Sequence, residues 1–80
     1  MITVTVKLYG TLPQRMPAYD PQRGLVVTLG PGATVADLTR QLNLTAEDTG
    51  VVALDGRVAQ PEDRLPNDAH IRIFQVALGG

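Results

Sequence analysis

The chain has 80 residues, 44 % of them hydrophobic, with a formal net charge of −1 and no cysteine. That length allows one domain and one modest core, and the composition is that of a globular rather than a disordered chain. The weak negative charge without a basic stripe removes the footprint of a nucleic-acid or membrane-surface binder. The missing cysteines exclude disulfides, cysteine nucleophiles and thiolate metal sites.

No apolar run approaches the ~20 residues that span a bilayer. The start, Met1-Ile2-Thr3-Val4, lacks the basic segment and long apolar run of a signal peptide. A cytoplasmic location is expected. The single histidine, His70, cannot form a metal site alone. A domain of this size buries only ~60–65 % of its unfolded surface. Such a chain more often presents a face or a tail to a larger partner than encloses a catalytic pocket.

Residues 2–9 alternate apolar and polar, the mark of a half-buried strand, with Ile2, Val4, Val6 and Leu8 on the buried side. Residues 10–24 contain Pro13, Pro17 and Pro21, which forbid a regular helix and read as a surface loop. Leu25–Leu29 is a second strand, expected to form an antiparallel hairpin with the first. Gly30-Pro31-Gly32 is a turn.

Thr34 then opens the one convincing helix. Asp37 stands three residues on, as in a capping box, and an acid there also suits the helix dipole. Val35, Leu38 and Leu42 form its apolar stripe, and the helix is expected to end near Leu42-Asn43. Residues 45–48 could start a short further turn. Val51–Leu54 is a strand, Asp55-Gly56 a type I′ hairpin signal, and Arg57–Ala59 a short return strand. Residues 61–68 read as polar loop, with His70 exposed at its end. Ile71–Val76 is the last strand, Ile71 and Ile73 facing in and Arg72, Phe74 and Val76 facing out. One helix covers one sheet face, as the alternation in the first strand requires. The expected fold is α+β: a β-grasp, with a mixed sheet of four to five strands and one main helix on one face. It forms a single domain over 1–80 with a flexible tail at 77–80.

The order of these elements, together with Pro31–Leu38, Val52–Arg57, Ile71-Arg72-Ile73-Phe74 and the final Gly79-Gly80, resembles the ubiquitin-like sulfur carriers of the MoaD/ThiS group. This group includes the small subunit of molybdopterin synthase and the thiamine thiazole sulfur carrier. Many molybdopterin carriers have Pro-Pro after the aromatic of the last strand, where this chain has Gln75-Val76, and residues 10–24 are longer and less helical than is usual there.

The resemblance implies that the Gly80 carboxylate is adenylated by an activating enzyme using ATP and magnesium. It is then converted to a thiocarboxylate that donates sulfur, with molybdopterin, in molybdenum or tungsten cofactor biosynthesis, as the leading destination. No cofactor is bound by the carrier itself. Glycines at 79 and 80 let the backbone approach another surface closely. From Gln75 the tail reaches at most ~20 Å, enough to thread a channel. Leu78 and Gly79 are expected to be needed for activation. The partners implied are the activating enzyme and either a molybdopterin synthase large subunit or a thiazole synthase, with no nucleic acid and no membrane. The carrier is then not an enzyme alone but the sulfur-donating part of one.

Three other destinations stay open: thiamine thiazole, tRNA thiolation, and a protein modifier joined through Gly80 to lysine. So does a binding module that does no acyl chemistry. Phe74 is the only phenylalanine. On an uncovered face, with Arg72 and Val76 beside it, it marks a partner surface. The alternative is that loop 10–24 folds back over it. Arg40, Arg57, Arg64, Glu62 and Asp63 read as solvated.

Overall fold

The computed structural model describes residues 1–17, 19–45 and 49–75. The elements are β1 (Ile2–Leu8), a 3₁₀ turn (Leu12–Arg15), β2 (Leu25–Leu29), α1 (Val35–Gln41), β3 (Val51–Leu54), β4 (Arg57–Ala59) and β5 (His70–Phe74). The five strands form one sheet in the order β2-β1-β5-β3-β4. β1 and β5 run parallel; the other neighbours are antiparallel. The sheet is therefore mixed, with the first and last strands side by side, and among the described residues it carries one α-helix. Among the described residues no helix is long and apolar enough to cross a membrane.

Period-2 alternation decides which side of each strand enters the core. Val4, Val6, Leu8, Val27, Leu29, Val52, Ile71 and Ile73 are buried on one face and meet Val35 and Leu38 of α1. Ile2 and Leu42, both expected in this core, are only half-buried. α1 begins as its sequence predicts. The Thr34 side chain accepts from Asp37 N at 3.3 Å, and Asp37 Oδ2 accepts from Thr34 N at 2.9 Å. That backbone bond, with the Thr34 hydroxyl and then Arg40, holds the Asp37 carboxyl below the ordinary carboxylate range. The helix ends in a Schellman turn. Asn43 lies in the left-handed region (φ 59°) and bonds Arg40 O, while Leu44 N donates to Thr39 O at 2.9 Å.

The two long loops depart from the sequence reading. In 10–24 the prolines do exclude an α-helix, but Pro13 is the second residue of the 3₁₀ turn, where a missing N–H costs nothing. This loop is not merely surface. Leu12 is fully buried, and Tyr19 packs on the core with its hydroxyl accepting from Leu8 N at 2.8 Å. Loop 61–68, read as a polar loop, buries Leu65 and lends the carbonyls of Pro61 and Asp63 to the free N–H groups of Ala36 and Val35. His70 is not a loop residue either. It is the first residue of β5, paired with Thr5, although its side chain is exposed. Most of the expected turn at 45–48 lies outside the described residues.

Candidate functional site

β5 stops at Phe74, two residues earlier than the alternation suggests, and the cause is local. Phe74 O accepts from Gly50 N at 2.9 Å. The side chain of the next residue, Gln75, then turns to the first loop, where its Oε1 accepts from Thr11 N at 2.8 Å and Thr11 Oγ1 at 2.6 Å. Gly10 makes that approach possible. Its φ is +74°, and a Cβ there would lie 2.8 Å from Gln75 Oε1. The chain therefore leaves the sheet at a point held from both sides.

Beside this exit lies the outer face of the sheet. Ile71 and Ile73 are buried; His70, Arg72 and Phe74 between them are exposed. The register sets Arg72 between Lys7 and Ala53, and Phe74 beside Val51. Tyr9, just past β1, stacks on Phe74 with ring centroids 4.7 Å apart and planes inclined by 13°. Tyr9 and Phe74 are each 37 % exposed as residues, and Val51 and Val58 extend the apolar area with 44 % and 70 %. In loop 10–24, Leu12, Met16 and Tyr19 pack on the core rather than over Phe74.

Of the residues expected to meet a partner or carry chemistry, Phe74 and Arg72 come together on this face. Val76, Leu78, Gly79 and Gly80 lie outside the described residues. Sequence reasoning treated Gln75 only as a departure from the usual Pro-Pro, and it missed the role of Gly10 and Thr11. A bond between residues 64 apart leaves no local pattern.

The hollow between α1 and the β3–β4 edge is lined by such residues as Val35, Thr39, Val52 and Pro61 and holds no ionisable side chain. Among the described residues no group of three or more His, Asp or Glu could hold a metal.

A five-stranded mixed sheet with parallel first and last strands, crossed by one helix between β2 and β3, is the β-grasp, the ubiquitin-like fold. Solved structures of the same kind agree. Small archaeal modifier protein 1 from H. volcanii matches with a TM-score of 0.74 at 16 % identity, over 94 % of this chain and 98 % of that one. A putative molybdopterin converting factor subunit 1 from Pyrococcus furiosus matches at 0.76 and 19 %, over 94 % and 98 %. A second structure, SAMP1 from Haloferax volcanii, matches at 0.75 and 20 %, over 98 % and 99 %. At these identities what is shared is the fold. No family model matches the sequence, and no curated protein matches it significantly.

Proposed function

We propose that this chain is a ubiquitin-like sulfur carrier that works through the carboxylate of Gly80. The observation that carries the reading is the exit of β5. The chain leaves a β-grasp body at a pinned residue, Gln75, beside an exposed aromatic face, and Gly79-Gly80 follow within five residues. The two bonds from Thr11 to Gln75 fix the point at which the residues after it begin. That lowers the entropy lost when a partner docks on the face and receives the tail.

The chemistry is acyl activation. A Gly80 carboxylate oxygen attacks the α-phosphorus of magnesium-bound ATP in the partner enzyme, and pyrophosphate leaves. Hydrosulfide then attacks the acyl carbon of the adenylate, AMP leaves, and a thiocarboxylate remains. Its sulfur is the nucleophile delivered onward. The structural likeness to a protein named as a putative molybdopterin converting factor subunit supports molybdopterin as the destination. The likeness to a protein named as a modifier supports a second reading, in which the activated Gly80 joins a lysine amine. Both readings share the adenylation step, and their partners differ: a pterin-binding large subunit for the first, protein lysines for the second.

The test is incubation with the adenylating enzyme encoded in the same genome, ATP, magnesium and sulfide. Intact-protein mass spectrometry should show replacement of one oxygen by sulfur. Oxidation of Met1 or Met16 changes the mass by nearly the same amount, so the product is also treated with a thiol alkylator. The chain has no cysteine, so an alkylated C-terminal peptide reports the thiocarboxylate alone. Deleting Gly80, or adding one residue after it, should cost ~100-fold or more in rate, since the reacting carboxylate loses its position. Equal activation after extension would refute Gly80 as the acyl group.

A further inference from the structure

The sheet ends in two edges, β2 and β4, and they are guarded unequally. β4 is three residues long and begins on Arg57. Shortness and charge both discourage an edge from pairing with another chain. β2, Leu25-Val26-Val27-Thr28-Leu29, carries no charge and no proline, and it pairs with β1 residue for residue, without a bulge. The direction of its backbone groups follows from β1. Thr5 N donates to Ala69 O, Tyr9 N donates to Ile73 O, and Thr3 O accepts from Asp68 N, so the odd residues along β1 bond toward β5. Successive residues alternate, so Val4 and Val6 bond toward β2, to Val27 and Leu25. Val26 and Thr28 therefore aim their N–H and C=O groups out of the sheet. Among the described residues the only bond to these groups is a long one, from Gln41 Nε2 to Thr28 O at 3.4 Å. Both side chains are exposed, Val26 by 69 %.

We infer that the β2 edge pairs with the β2 edge of a second copy of the chain, antiparallel, about a two-fold axis at Val27. In that register the edge is its own complement. Val26 of each copy faces Thr28 of the other, and each such pair exchanges two backbone hydrogen bonds. All the outward groups of the strand are then satisfied, and the Gln41 amide yields its place. Registers centred on Val26 or on Thr28 do worse. They set Thr28 against Gly24 or Val26 against Gly30, and Gly24 N already donates to Asp20 O while Gly30 O already accepts from Ala33 N. Side chains agree with the same choice. Val26 meets Thr28 on the open side, and the half-buried Leu25 meets Leu29 on the helix side. No like charges are opposed, since the strand has none. The two sheets join into one, with both helices on the same side. β1 and β2 separate β5 from the axis, so the Gln75 anchors lie away from the joint. A strand edge buries less than the ~1,200 Å² of a stable interface, so the pairing is weak, with Kd on the order of 0.1–1 mM. The inference stands on the backbone of β2 and does not depend on the carrier reading.

NMR of the full chain tests this. Raising its concentration from about 0.05 to about 2 mM should increase the transverse relaxation rate of sheet amides by roughly half and shift the amides of residues 25–29 most. Val26→Lys/Thr28→Lys sets lysine against lysine across the axis and should abolish both changes. Val26→Lys/Thr28→Glu sets each new cation against a new carboxylate of the other copy and should restore both. That crossed rescue belongs to this register alone. Both substituted side chains point into solvent, so each variant should keep the parent's urea midpoint. If either variant does not fold, the parent decides by itself. In a mixture of isotope-labelled and unlabelled chain, filtered NOEs should join Val26 of one copy to Thr28 of the other, and their absence overturns the proposal. Relaxation independent of concentration overturns it too, as do shifts confined to the region of Tyr9 and Phe74. So does a lysine–glutamate variant that associates no better than the lysine–lysine one. A chain that stays monomeric but shifts at residues 25–29 when an extended Val-Thr repeat peptide is added would assign the edge to a foreign strand, and that result also overturns it.

Discussion

The two faces of the sheet are built from alternate residues of the same strands, yet they are under different demands. On β5, Ile71 and Ile73 are sealed against α1 and the loops, whereas Arg72 and Phe74, one position away, stand in solvent. The buried side is uniformly aliphatic, so its contribution is the transfer of apolar area from water. The open side mixes aromatic, aliphatic and cationic groups, contributes little to folding, and in the case of Lys7 beside Arg72 works against it. A face retained against folding stability is the place to look for a partner.

The largest effect that tests this contrast is on the sealed side. Leu38 is fully buried at the centre of the helix–sheet contact. Leu38→Ala should cost ~2–5 kcal/mol, the sum of lost transfer energy and a residual cavity. Phe74→Ala, one of the largest truncations available on the open side, should cost less, about 1–2 kcal/mol, from the lost stack on Tyr9 and the partial burial of the ring. Urea unfolding of both variants decides the matter. Equal losses would mean that Phe74 is structural and the two faces do not divide the labour.

A middle-sized effect is expected at the edge where the open face gives way to the exit. Gly10→Ala forces a side chain into a left-handed conformation and toward Gln75 Oε1. It should destabilise by more than ~1 kcal/mol. Gln75→Ala removes two exposed hydrogen bonds and should cost about 1 kcal/mol or less. The double variant should cost less than the two singles together, because Gln75→Ala removes the amide that the new Cβ would strike. Strict additivity in thermal or urea unfolding would show that Gly10 and Gln75 do not act as one anchor.

What was legible in the sequence is what local chemistry determines. The alternation of β1, the Thr34–Asp37 cap and the Asp55-Gly56 turn, whose φ angles are 48° and 89°, each depend on a few consecutive residues. So does the outward parity of Arg72 and Phe74. Leu12 and Leu65 could not be placed in the core from their own surroundings, because each sits among prolines and polar residues and is buried only by the assembled sheet and helix. His70 joins β5 because β1 offers it a partner in Thr5. The pairing of Lys7 with Arg72 and the bond from Thr11 to Gln75 both require the β1–β5 register, which spans nearly the whole chain.

The smallest effect concerns a polar element on the sealed side. The Asp37 carboxylate accepts from Thr34 N and, with the Thr34 hydroxyl and Arg40, is kept charged to lower pH than a free carboxylate. Because the folded value lies below the unfolded one, near 3.9, the contribution to stability is complete above the unfolded value. It is lost as pH falls through the folded value, where the unfolded chain already holds the proton. Asp37→Asn should therefore flatten the acid limb of the stability profile below about pH 4 while changing the curve near neutrality far less than Leu38→Ala does. Thr34→Ala should cost about 1 kcal/mol near neutrality and should flatten the same limb, since it removes the hydroxyl partner. Urea midpoints measured from acid to neutral pH read both variants. An acid limb in Asp37→Asn as steep as the parent's would show that the cap is electrostatically silent, so that the sealed side owes its stability to apolar packing alone.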